Sequence, residues 1–66
     1  MEKRFPDATV RLTGEDGNAF AIMARVSKAL RQAGYPEVVE DFVEDAMSAE
    51  HYDALLVKVQ EWVEVE

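Results

Sequence analysis

The side chains with the greatest chemical capacity in this chain are one histidine and a run of carboxylates. His51 sits in Ser48-Ala49-Glu50-His51-Tyr52-Asp53, where Asp53 or Glu50 could orient the imidazole as a general base. Acyl transfer also needs a nucleophile, and no serine or cysteine on a recognisable elbow accompanies the histidine. The plainer reading of His51 is a polar residue in the first turn of a helix. Glu40, Asp41, Glu44 and Asp45 form a second cluster. Paired carboxylates perform acid–base work when both face one concave, partly dry site. At helical spacing these four fall instead on the outer arc of an amphipathic segment, the pattern of a solvated charged face. Asp16-Gly17-Asn18 lacks the alternating oxygen ligands and closing glutamate of a calcium loop. The chain has no cysteine, and one histidine does not make an ordinary structural metal site. No catalytic, cofactor-binding or metal-binding residue is assigned on these grounds. No cofactor or small-molecule ligand is expected, and the chain reads as a non-enzyme.

Arg25, Lys28 and Arg31 step by three along the outward side of a helix, with Arg11 nearby if the preceding strand packs close. Each could displace a counterion from a phosphate backbone, which makes the stripe a candidate nucleic-acid contact. Three charges are few, and no aromatic rings interleave with them as single-strand binding prefers. The later helices also lack the basic, base-reading N-terminus of a helix–turn–helix reader. Phe20 lies about 120° from the centre of the same helix's apolar arc, beside the small residues Ala21, Ala24 and Ser27. Such a ring is covered either by the N-terminal strand of its own chain or by a second subunit or another protein. Phe20, Ala24, Arg25, Lys28 and Arg31 together form the candidate interaction surface.

Several elements must position these residues. Residues 1–7 read as a loose leader, because Pro6 cannot sit in a central strand. Residues 8–13 alternate, with Val10 and Leu12 on one side and Thr9, Arg11 and Thr13 on the other, as a short strand does. Gly14-Glu15-Asp16-Gly17-Asn18 is a turn, and Asp16 or Asn18 can cap the next helix. That helix spans 18–33, where Ala19, Ile22, Met23, Val26, Ala29, Leu30 and Ala33 fall within an arc of about 120°. Gly34 ends it through the left-handed conformation open to glycine, and Pro36 opens the next. The second helix, 37–47, buries Val38, Val39, Phe42, Val43, Ala46 and Met47. The third, 49–63, buries Tyr52, Leu55, Leu56, Val59, Trp62 and Val63. Their apolar arcs differ in phase by roughly 145°, so one straight rod would bury nearly opposite faces. A break is therefore expected at Ser48, a good N-cap. Val63-Glu64-Val65-Glu66 alternates again and can pair with Val10–Leu12 as a second short strand.

The bounds fit this picture. Sixty-six residues with 48% hydrophobic content make one small domain, 1–66, with a thin stability margin. Without a disulfide or metal as a staple, good helix packing or self-association must supply what is missing, which suggests a homodimer. Fourteen acidic residues against seven basic ones leave a net charge of −7, a field that repels nucleic acid. The lack of cysteine suits a reducing cytosol. No run approaches a transmembrane length, and Met1–Asp7 lacks the apolar core of a secretory signal. A cytoplasmic location and no membrane partner are expected.

Two stretches carry a resemblance. Gly14-Glu15-Asp16-Gly17-Asn18-Ala19-Phe20-Ala21-Ile22 resembles a Gly-x-Asp-Gly-Asn-Ala-Phe motif. Tyr52-Asp53-Ala54-Leu55-Leu56, followed by Val59, Trp62 and Val63, resembles a closing Tyr-Asp-x-Leu-Leu pattern. Together, over most of residues 10–65, they look like a group of short uncharacterised proteins of bacteria and their phages. The resemblance implies a stand-alone small protein and transfers no activity. The expected fold is mainly α: a compact three-helix bundle preceded by a short strand. The expected role is that of a non-catalytic interaction or structural protein. A nucleic-acid-associated regulator using the basic stripe is the runner-up, and an acidic inhibitor that mimics DNA a third class.

Overall fold

The computed structural model describes residues 3–12 and 18–66. The expected turn at residues 14–17, Thr13 at the end of the expected strand, and residues 1–2 of the leader lie outside them. The described elements run strand β1 (Phe5–Val10), helix α1 (Ala19–Gln32), a 3₁₀ turn (Pro36–Val38), helix α2 (Val39–Met47), helix α3 (Tyr52–Trp62) and strand β2 (Val63–Val65).

Local chemistry sets the helix ends. The Asn18 side-chain oxygen accepts from the Ala21 N–H at 3.1 Å, satisfying one of the orphan donors of α1. At the other end Gly34 takes φ +97°, its N–H donates to the Arg31 carbonyl at 3.1 Å, and the Tyr35 N–H donates to the Leu30 carbonyl at 2.8 Å. This is a Schellman closure, and the helix stops where the glycine was expected to stop it. The break between α2 and α3 is present but is built differently from the expectation. Ser48 is the C-cap of α2, with its hydroxyl donating to the Asp45 carbonyl at 2.6 Å. His51 is the N-cap of α3. The third helix thus starts three residues later than expected, because His51 takes the capping position and Ser48–His51 form the bend that rotates the chain.

The three apolar stripes meet in one interior. Ile22, Val26 and Leu30 of α1, Phe42 of α2 and Val59 of α3 are fully buried, and Leu55 and Trp62 nearly so. Each large apolar side chain so removed from water stabilises by about 1.5–3 kcal/mol. Helix α1 packs on β1 and α2, and α2 packs on α3.

The strand begins earlier than the pattern implied, at Phe5 rather than Ala8. Phe5 belongs to the strand because aromatic rings recruit it: its centroid lies 4.7 Å from that of Tyr35 and 5.7 Å from that of Trp62. Arg4 lies over the Trp62 ring at 4.4 Å, and Lys3 Nζ donates to the Gln60 carbonyl at 2.8 Å. The latter satisfies a carbonyl at the negative end of α3. Residues 3–7 are therefore packed chain and not a loose leader. Pro6 is tolerated because the register slips between Phe5 and Thr9, a bulge at which no ladder donor is required. β2 follows α3 without a connecting residue and pairs with β1 in parallel, Thr9 opposite Glu64 and Val10 opposite Val65. Parallel pairing demands a long crossover, and here all three helices supply it.

Candidate interaction surface

Phe20, in the first turn of α1, is 75% exposed. Strand β1 does not cover it, because β1 lies instead beside the C-terminal half of the helix, near Arg25, Lys28, Ala29 and Gln32. Ser27, expected beside Phe20 on a weakly apolar outer surface, is buried, and Ala21 is half-buried.

Next to the Phe20 ring is a recess of about 340 Å³ where the N-terminus of α1, the C-terminus of α2 and the N-terminus of α3 converge. Met23, Met47, Ala49, Tyr52 and Leu55 line it with Phe20, and among the described residues no carboxylate or ammonium does. Met47 was expected in the core but is 65% exposed. It is the last residue of α2, where the stripe runs past the neighbouring helices into the bend. Methionine and phenylalanine at such a rim give an adaptable apolar contact.

His51 also borders this recess. Its Nδ1 accepts from the Ala54 N–H at 3.2 Å, so that lone pair holds the helix end. The ring therefore serves the structure through one nitrogen and borders the recess together with the Tyr52 phenol.

Of the acidic cluster, Glu40, Asp41 and Glu44 are exposed as expected, and Asp45 is not. Asp45 turns inward and accepts from Trp62 Nε1 at 2.8 Å and from Lys58 Nζ at 3.1 Å. The indole bond above all, with the Lys58 ammonium adding to it and partial burial opposing, holds the Asp45 carboxyl below its usual range. A buried indole N–H needs an acceptor, which was the signal available in the sequence: Trp62 in the core asks which polar residue meets it.

The basic stripe divides. Arg25 and Lys28 border a polar groove beside β1 together with Arg11, whereas Arg31 sits exposed in the last turn of α1 and Ala24 is exposed without bordering either recess. Of the five candidate residues, Phe20 borders the apolar recess, Arg25 and Lys28 border the groove, and Ala24 and Arg31 border neither. No protein-family model, curated protein or solved structure matches the chain. Among the described residues no cluster of three or more histidine, aspartate or glutamate side chains is arranged to hold a metal ion. None of the described helices is long and apolar enough to cross a membrane.

Proposed function

We propose that the chain is a non-catalytic interaction protein of the cytosol that works as a homodimer, its helices forming a compact bundle that presents the Phe20 recess to a second copy. The single observation that carries this reading is the exposed Phe20 ring standing beside an apolar recess of its own molecule. A projecting ring next to a hollow is what an isologous contact requires, since each copy can place its ring in the hollow of the other. The apolar lining favours this, because among the described residues that border the recess there is no carboxylate to oppose the approach of two chains of net charge −7. Their overall repulsion remains, so added salt strengthens the dimer by screening it.

Light scattering over a concentration series tests the proposal. The wild type is expected to pass from monomer to dimer. Phe20→Asp should remain monomeric with an unchanged circular dichroism spectrum, because the ring contributes little to its own chain's core. A wild type that stays monomeric at high concentration and high salt overturns the homodimer.

A further inference from the structure

Two methionines border the Phe20 recess, and the fold treats them differently. Met23 lies one turn along α1 from Phe20, half-buried and packed against the core. Met47 is the last residue of α2 and stands 65% exposed. Met1 is outside the described residues, so Met47 is the more open of the two described thioethers. Peroxides attack sulfur first, as thiolate or as thioether. The chain has no cysteine, which leaves its methionines as the sensitive groups. The most accessible described sulfur therefore stands at the rim of the hollow in which the second copy places its ring. A thioether there suits the contact, because methionine is flexible and its sulfur packs well against aromatic rings.

We infer that Met47 is an oxidation site through which peroxide separates the two copies, a regulation that rests on the homodimer proposed above. The step is a two-electron oxygen transfer. The Met47 Sδ lone pair attacks one oxygen of hydrogen peroxide; an S–O bond forms and the O–O bond breaks. The departing hydroxide takes the proton from the transferred oxygen and leaves as water. The thioether is oxidised to a sulfoxide and the peroxide is reduced, with no net change in protons. The sulfoxide is polar and chiral where the thioether was apolar. In a single chain the new oxygen stays in water, because Met47 is exposed and the buried core lies elsewhere. In the joined pair it is pressed against the recess, where the side chains of Phe20, Met23, Ala49 and Leu55 offer it no donor. Burying a polar group without a matched hydrogen bond is costly, so the oxidised chain favours the monomer. The contact in turn covers the sulfur, so the pair resists oxidation better than the single chain. Methionine sulfoxide is reducible enzymatically, which makes the change reversible.

Light scattering at high salt, before and after treatment with dilute hydrogen peroxide, tests this, with the oxidised positions read by peptide mass spectrometry. Sulfoxide is expected at Met47 before Met23, and self-association should weaken about tenfold. The circular dichroism spectrum should stay unchanged, and methionine sulfoxide reductases acting on both epimers should restore the dimer. Met47→Leu keeps the volume and apolarity of the side chain. It should dimerise equally well before and after peroxide, although it retains Met1 and Met23. An untreated wild type that never dimerises removes the homodimer and this switch with it. A wild type that dimerises untreated, and just as well with Met47 oxidised, leaves the homodimer standing and overturns the switch alone. Sulfoxide forming first at Met23, a Met47→Leu dimer that peroxide still splits, or a loss of helical signal on oxidation would each overturn the assignment to Met47 in the same way.

Discussion

Asp45→Ala is the substitution whose outcome follows most directly from the structure. Asp45 is the acceptor for Trp62 Nε1 at 2.8 Å and for Lys58 Nζ at 3.1 Å. Trp62 is only 3% exposed, so removing the carboxylate strands a buried donor, at a cost of about 1–3 kcal/mol. The Lys58 pair is partly solvated and adds no more than about 0.5 kcal/mol. A total near 2 kcal/mol lowers Tm by roughly 8–16 °C in a domain of this size. Thermal unfolding followed by fluorescence suits the measurement, because Trp62 is the chain's only tryptophan. Repeating the substitution in a Trp62→Phe background, read by circular dichroism, isolates the indole share: most of the loss should disappear there. The depressed Asp45 carboxyl fixes the sign of the pH dependence. Its stabilising effect is complete above the unfolded-state value of about 3.9 and fades as pH falls through the lower folded-state value. The stability curves of wild type and Asp45→Ala should therefore converge in acid. A loss below about 0.5 kcal/mol at neutral pH, or one equally large in the Trp62→Phe background, would show that the indole bond does not matter as argued.

Three further outcomes are expected. His51→Ala removes the N-cap acceptor of α3 and should lower stability by about 0.5–1 kcal/mol in urea unfolding, whereas His51→Ser should hold close to wild type. Gly34→Ala should lose about 1–2 kcal/mol in the same assay. A Cβ at Gly34 has no atom within 4 Å, so the loss reflects the +97° backbone alone, and Gly34→Asn should lose less. The Tyr35 hydroxyl donates to Asp7 Oδ2 at 3.1 Å, and that bond, with the charge of Asp7, raises the phenol above its ordinary value. Asp7→Asn should bring the Tyr35 titration to lower pH when followed by ultraviolet absorbance in alkali.

The helical stripes were readable because each repeats every three or four residues and the helix that carries it needs no partner to define its period. Asn18, Gly34 and Pro36 act within a few residues of themselves, so their positions were readable too. What escaped was set at long range. Nothing near Phe5 announces Tyr35 and Trp62, and the strand therefore starts earlier than its own alternation suggests. Asp45 lies on the acidic side of α2 by angle alone, yet the indole of Trp62 draws it inward. Met47 lies on the apolar side by angle, yet the helix ends before anything covers it. The surface residues of α1 read as one patch because they share a helix, yet Arg25 and Lys28 border a groove beside β1 while Phe20 borders a recess beside the ends of α2 and α3.

The parallel ribbon has a consequence for how the molecule comes apart. Its two strands stand at opposite ends of the helical segment, so they can meet only after α1, α2 and α3 have gathered between them. Once joined, they act as a clasp: fraying one strand frees the other, and with it Phe5 and its grip on Trp62. The Glu66 N–H, bonded to the Val10 carbonyl at 2.9 Å, should then exchange with solvent only in step with the helices, as one cooperative opening, although Glu66 is itself an exposed residue.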